Sequence, residues 1–232
     1  MADVTIRAAD GGSFSAYLAT PKGGKGPGIL VIQEIFGVNK VMRDTADAFA
    51  ANGYVAMCPD LFWRQEPGVQ ITDKSEAEWK KAFALMQGFD QAKGVEDMKA
   101  TVAALRKHQA CTGKVGSVGY CLGGRLAYLM ATRSDTDANV GYYAVNLPDI
   151  LGEAKNIKKP FLLHIAEKDE FVPPEAQAKV KDALKGNKLV TIYSYPGADH
   201  AFARVGGQHY DKKSADQANQ RTAEFLKKNL GV

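Results

Sequence analysis

The sequence predicts a doubly wound α/β fold, in which helices cover both faces of a mostly parallel β-sheet. Short apolar runs rich in β-branched residues recur along the chain, as in strands that are buried on both faces. Stretches with apolar residues at three- and four-residue spacing lie between these runs and predict helices. Regular alternation of the two patterns favours parallel strands joined by crossover helices.

The first element is predicted to be an antiparallel hairpin. Residues 4–7 and 13–18 alternate between apolar and polar side chains around a glycine turn at residues 10–12. A strand with one polar face is typical of an exposed position, so we expect the hairpin at the edge of the sheet.

The later elements follow in alternation. Strands are predicted over residues 29–32, 54–58, 115–119, 161–165 and 190–194, and helices over 41–51, 95–105, 122–132, 176–184 and around 222–226. Residues 62–89 depart from this order, because a loop at 63–68 precedes a helix at 76–86, and we expect this segment to form a lid or a pocket wall. No repeat or long linker interrupts the chain, which predicts a single domain over residues 1–232.

Composition excludes several classes of protein. The 232 residues are 45% hydrophobic and 24% charged with a net charge of +4, and the basic residues are dispersed, which argues against a nucleic-acid partner. Neither a basic, apolar leader nor an apolar run of about 18 residues is present, so we expect a cytoplasmic protein without membrane contact. The spacing of Cys58, Cys111 and Cys121 fits neither a disulfide framework nor a metal site.

Residues 119–123, Gly-Tyr-Cys-Leu-Gly, carry the most informative pattern in the chain. They follow a predicted strand and precede a predicted helix, the context of a nucleophile elbow. Gly119 and Gly123 allow strand and helix to approach closely, and the helix N-terminus favours a thiolate and an oxyanion. The alternative is a buried thiol that packs like alanine, which we expect for Cys58 and Cys111.

Candidate partners for Cys121 follow later strands in the order acid and then histidine, as α/β-hydrolases require. Asp169 comes after the strand at 161–165, and His200 comes after the strand at 190–194. Glu167 and Glu170 are competing acids, but Asp169 directly precedes the point where the chain turns towards its next helix. We assign no catalytic role to the three remaining histidines, which are predicted in the core (His164), at a helix end (His108) and in a polar loop (His209).

With these residues in place, the chain resembles the dienelactone hydrolase family of α/β-hydrolases over nearly its whole length. The segments that carry the resemblance are residues 10–14, 33–37, 58–61, 119–124 and 200–204. The resemblance implies a Cys121, Asp169 and His200 triad that hydrolyses an enol lactone through a thioester, without a metal or organic cofactor. We expect a monomer that acts on a small lactone or ester.

The resemblance also implies roles that spacing alone does not give. Glu34 is expected to take the proton of Cys121 when substrate binds, which limits oxidation of the resting thiol. The backbone N–H groups of Ile35 and Leu122 are expected to form the oxyanion hole. For Glu34, the alternative is a paired carboxylate at a strand end.

The predicted substrate contacts depart from the family pattern at one position. Arg204 matches one of two family arginines that bind the substrate carboxylate, but Trp79 stands where the other is expected. Phe36 and Phe83 are predicted to line the pocket, although Trp79 and Phe83 alternatively form a helix face that packs on the core. Trp79 therefore leaves open a broader carboxylester or thioester hydrolase, and a non-catalytic ligand-binding protein on the same scaffold is a third alternative.

Overall fold

The computed structural model describes residues 2–231 and contains an eight-stranded sheet. The strands are β1 (Ala2–Arg7), β2 (Ser13–Ala19), β3 (Gly26–Ile32), β4 (Val55–Pro59), β5 (Cys111–Tyr120), β6 (Ala138–Tyr142), β7 (Phe161–Ala166) and β8 (Val190–Tyr195), in the spatial order β1-β2-β4-β3-β5-β6-β7-β8. The α-helices are α1 (Lys40–Ala51), α2 (Glu76–Gln87), α3 (Gln91–Lys107), α4 (Leu122–Arg133), α5 (Pro174–Leu184) and α6 (Lys212–Leu230), and residues Leu147–Asn156 form a 3₁₀ helix.

The predicted fold class is confirmed. Strands β1 and β2 pair antiparallel at one edge, as the hairpin pattern predicts, and β2 continues antiparallel against β4. Strands β3 and β4 are parallel, as are β6 and β7, and β7 and β8. Every strand and helix that the sequence predicts is present, with ends that differ by a few residues or, for α6, by a longer extension.

Two elements were not predicted. Strand β6 reads Ala-Asn-Val-Gly-Tyr and is buried throughout, yet its asparagine and glycine break the apolar run that would indicate a buried strand. The cost of burying Asn139 is reduced because its side-chain oxygen accepts a hydrogen bond from the hydroxyl of Thr136 at 2.8 Å. The 3₁₀ helix follows β6, and the three- and four-residue spacing of its apolar residues is a helical signal that the sequence analysis missed.

The described residues divide into two compact units, 2–117 and 118–231. The first unit contains β1 to β4, α1 to α3 and most of β5, while the second contains the end of β5 and all later elements. The prediction of one domain over the whole chain stays a prediction.

In the first unit, side-chain contacts hold the segment that departs from the alternation. Asp97 of α3 is buried and accepts hydrogen bonds from the indole of Trp63 at 2.9 Å and from Nη2 of Arg64 at 2.8 Å. Ser75 caps the N-terminus of α2, because its hydroxyl oxygen accepts the N–H of Glu78. The predicted helix in this segment is therefore present, and its role as a lid or pocket wall stays a prediction.

A directed chain of hydrogen bonds crosses the core of the second unit. The hydroxyl of Tyr142 donates its one proton to the side-chain oxygen of Asn219. The hydroxyl of Thr222 is therefore the donor in its hydrogen bond to Tyr142, at 2.6 Å. His164 Nε2–H then donates to Thr222 at 2.9 Å, and the hydroxyl of Tyr195 donates to His164 Nδ1 at 2.8 Å. Burial lowers the pKa of His164 to about 3, so the imidazole is neutral in this chain. His164 is thus a buried, hydrogen-bonded core residue, as the sequence predicts.

Candidate active site

Cys121 lies at the sharp turn between β5 and α4, in a strained backbone conformation. Its φ of 56° and ψ of −115° lie in a region that residues other than glycine rarely adopt. A Cβ atom at Gly119 would lie 1.9 Å from the carbonyl oxygen of Gly123, so only glycine permits this approach of strand and helix. The N–H of Cys121 donates to the carbonyl of Tyr142 at 3.1 Å, which ties the turn to β6.

The structure brings Cys121, Asp169 and His200 together. Asp169 follows β7 and His200 follows β8, and Asp169 Oδ2 lies 2.7 Å from His200 Nδ1. The Cys121 side chain is hydrogen-bonded to His200 as well. Because Nδ1 of the imidazole is held by Asp169, Nε2 is the nitrogen available to the thiol. All three side chains are buried.

The competing acids lie elsewhere. Glu167 and Glu170 are exposed to solvent on either side of Asp169, whereas the Asp169 carboxylate points inward to His200. Asp169 Oδ1 also accepts the backbone N–H of Phe171 at 2.9 Å, so both carboxylate oxygens have a partner. These contacts fix the orientation of the acid towards the histidine.

Charge at the site stabilises the protonated form of His200. Burial lowers the pKa of His200, but the negative charge of Cys121 and the hydrogen bonds to Asp169 and Cys121 together outweigh burial and raise it to about 10. Cys58 lies in the core of the first unit, and complete burial raises the pKa of its thiol well above the usual range. His200 therefore holds a proton beside Cys121, whereas Cys58 remains a protonated core residue.

Gln177 is a supporting residue that the sequence analysis missed. Its side-chain amide, on α5, donates to the carbonyls of Ala166 at 3.2 Å, Glu167 at 3.3 Å and Val172 at 2.8 Å. These carbonyls flank the loop that carries Asp169, so Gln177 holds that loop in place. The periodicity of α5 contains a signal, because Gln177 shares the buried face of the helix with Val180 and Leu184.

Two aromatic rings flank the histidine. The ring centroids of Tyr143 and Phe171 lie 5.2 and 4.8 Å from that of the His200 imidazole, both edge to face. Tyr143 and Ala201, like Cys121, have a positive φ, with values of 35° and 61°. Three of the four non-glycine residues with positive φ in the described chain therefore belong to the triad or lie next to it, which is typical of a functional site.

The other predicted site residues of the second unit are Leu122 and Arg204. Leu122 is the first residue of α4, so its N–H has no acceptor within the helix and lies in the positive field of the helix N-terminus. Arg204 follows His200 in the same loop and is buried. Their roles in binding an oxyanion and a carboxylate stay predictions.

The remaining predicted site residues belong to the first unit. Glu34 and Ile35 lie two and three residues after the end of β3 and are buried. Phe36, Trp79 and Phe83 form an aromatic cluster, in which the centroid of Trp79 lies 5.1 Å from that of Phe36 and 5.5 Å from that of Phe83. The indole N–H of Trp79 donates to the carbonyl of Asp73 at 3.0 Å.

A metal-binding cluster and a membrane-spanning helix are both absent from residues 2–231. That part of the chain holds no group of three or more His, Cys, Asp or Glu side chains arranged to bind a metal ion. Nor does any of its helices combine the length and the apolar character that crossing a bilayer requires.

A nucleophile at a strained strand-to-helix turn, followed by an acid and a histidine after later strands, defines an α/β-hydrolase. Residues 14–230 match the dienelactone hydrolase family. The chain belongs to this family.

Individual relatives agree with this assignment. A protein of Azospirillum brasilense that is provisionally named carboxymethylenebutenolidase is 58% identical over the whole of both chains. The carboxymethylenebutenolidase of Pseudomonas putida is 39% identical, with 96% of this chain and 94% of that protein covered. A crystal structure from Klebsiella pneumoniae subsp. pneumoniae MGH 78578, provisionally described as a dienelactone hydrolase, has a TM-score of 0.85 at 27% identity and covers 97% of each chain.

The charge of Cys121 predicts how His200 titrates. In Cys121→Ala the negative neighbour is gone while burial remains, so we expect the pKa of His200 to fall below its wild-type value of about 10. NMR titration of the imidazole resonances in both proteins measures the change, and His209, a histidine with a partly exposed side chain, serves as the internal control. An unchanged His200 pKa would show that Cys121 does not stabilise the imidazolium.

Proposed function

We propose that this protein hydrolyses an enol lactone of the 4-carboxymethylenebutenolide type to maleylacetate through a thioester on Cys121. The observation that carries the proposal is the hydrogen-bonded series Asp169, His200 and Cys121, with the raised pKa of His200. The names of the Azospirillum brasilense and Pseudomonas putida relatives support the substrate class.

The first half-reaction opens the lactone. The Cys121 thiolate attacks the lactone carbonyl carbon, and the carbonyl oxygen becomes an oxyanion that the N–H groups of Leu122 and Ile35 stabilise. The ring C–O bond then breaks, and the leaving oxygen departs as an enolate that receives a proton from His200. The product of this step is a thioester on Cys121, and its freed enol becomes a ketone by tautomerisation.

The second half-reaction releases the acid. Neutral His200 removes a proton from a water molecule, and the water oxygen attacks the thioester carbonyl. The C–S bond breaks, so Cys121 leaves as a thiolate beside protonated His200, whose pKa the site raises. Asp169 keeps the imidazole in one orientation throughout, and one water is consumed per lactone.

Glu34 completes the proposed mechanism, because it takes the thiol proton when substrate binds and returns it to the Cys121 thiolate after the acid has been released. The family resemblance supports this role, and Glu34 is a buried residue two positions after the end of β3. A proton acceptor that acts only when substrate binds would keep Cys121 less reactive towards oxidants in the free enzyme.

Thiol labelling tests the role of Glu34. With a dienelactone analogue bound, we expect wild-type Cys121 to react faster with a small alkylating reagent than in the free enzyme, and we expect Glu34→Gln to lose this difference. Peptide mass spectrometry identifies the labelled cysteine, and the half-buried Cys111 controls for general reactivity. If the analogue accelerates labelling equally in both proteins, Glu34 is not the acceptor.

The second candidate function is a carboxylester hydrolase with broader specificity, and Trp79 favours it. The indole stands where the family resemblance leads us to expect an arginine, and it packs against Phe36 and Phe83. An aromatic surface cannot pair with a carboxylate as a guanidinium does. In the proposed function, Arg204 therefore carries the recognition of the substrate carboxylate.

Arg204→Met separates the two functions. If Arg204 binds the carboxylate of a dienelactone, the variant loses kcat/KM for that substrate by about 10- to 100-fold, the usual range for a charged hydrogen bond. Hydrolysis of a neutral aryl ester serves as the control and is expected to change by less than about threefold. Negligible turnover of the dienelactone by wild-type enzyme that hydrolyses the aryl ester well would favour the broader esterase.

A further inference from the structure

Phe171 is an aromatic residue that is exposed beside the triad. The large hydrophobic side chains exposed within residues 2–231 are Phe171, Leu189 and Val205. Phe171 lies two residues after Asp169, and its backbone N–H donates to the carboxylate of that acid at 2.9 Å. Its position relative to the catalytic groups is therefore fixed by a hydrogen bond.

The ring of Phe171 contacts the histidine with one part and solvent with another. Its centroid lies 4.8 Å from that of the His200 imidazole, with an interplanar angle of 76°, yet 40% of the residue remains exposed. The ring of Tyr143 also contacts the imidazole but is buried, so it offers no comparable surface. Apolar surface left in water next to a catalytic group is covered favourably when a ligand binds over it.

The chemistry of the reaction identifies the part of the substrate that reaches this ring. His200 must come within hydrogen-bond distance of the leaving-group oxygen to protonate it. The rest of the leaving group, which is bonded to that oxygen, therefore lies near the residues that flank the imidazole. The acyl carbon, in contrast, becomes bonded to Cys121.

We propose that Phe171 is a specificity-determining residue that contacts the leaving group and favours a planar, conjugated one. This inference rests on the proposed function, because it needs Cys121 to be acylated and His200 to protonate the leaving oxygen. Enolates and aryloxides present flat π-systems that pack edge to face or offset against a phenyl ring, whereas a small alkoxide offers little contact area. This preference adds to the higher intrinsic reactivity of such esters, because their leaving groups are weaker bases than alkoxides.

Paired esters test the proposal in wild type and Phe171→Ala. Phenyl acetate and methyl acetate share an acyl group and differ in the leaving group, so we expect the ratio of their kcat/KM values to fall about tenfold in the variant. The value of kcat/KM reports on events up to the release of the leaving group. Dividing the phenyl-to-methyl ratio of the variant by that of wild type cancels the difference in intrinsic reactivity between the two esters. Phenyl acetate and phenyl butanoate differ only in the acyl group, and their ratio is expected to stay constant.

Two further variants complete the design. Phe171→Trp keeps an aromatic surface and is expected to retain most of the phenyl preference. Leu189→Ala is the matched control, because Leu189 is 39% exposed, lies outside the triad loops and precedes β8. It is expected to leave both ratios unchanged.

The outcomes distinguish a failure of the role of Phe171 from a failure of the proposed function. An active wild type whose phenyl-to-methyl ratio is unchanged in Phe171→Ala overturns the role of Phe171 and leaves the proposed function intact. A change that follows the acyl group also overturns it, since Phe171 would then contact the acyl side. Absence of ester and lactone hydrolysis by folded wild-type protein contradicts the proposed function and this inference together.

Discussion

The close approach of β5 and α4 is the constraint on which the rest of the site depends. Without a side chain at Gly119, the end of the strand can lie against the backbone of Gly123, and Cys121 takes up the strained conformation at the corner. Because the corner is also the start of α4, the thiol and the N–H of Leu122 lie in the field of the helix N-terminus. A larger residue at Gly119 would separate strand and helix, and the nucleophile would move with them.

The triad combines burial with charge compensation. Burial lowers the pKa of His200, yet the negative charge of Cys121 and the hydrogen bonds to Asp169 and Cys121 raise it to about 10. The hydrogen bond between Asp169 and His200 depends on the orientation of the carboxylate. The amide of Gln177 and the N–H of Phe171 both restrict the loop that carries Asp169. The strained conformations of Tyr143 and Ala201 indicate that the surrounding backbone is held in place as well.

The parts of the fold that follow from local signals could be predicted from sequence. The hairpin, the apolar strands and the glycine-framed turn each depend on residues adjacent in the chain, and the order of Cys121, Asp169 and His200 then follows from the strands they succeed. Strand β6 could not be predicted, because its burial depends on packing from elements distant in sequence. The same holds for Gln177 and Phe171, whose contacts with the triad loops arise only when α5 and β8 are in place. Trp79 limits the prediction differently, since it stands where the family resemblance leads us to expect an arginine, and the proposed substrate depends on that difference.

The central claim, that Cys121 is acylated during turnover, is tested most directly by trapping the intermediate. Wild-type protein is mixed with p-nitrophenyl acetate, quenched in acid within the first turnover and analysed by peptide mass spectrometry, with Cys121→Ala as the control. The account predicts an acetyl group on Cys121, none on Cys58 or Cys111, and a loss of hydrolysis of at least about 10³-fold in the variant. An acetyl group on another residue, or hydrolysis at an unchanged rate in Cys121→Ala, would contradict it.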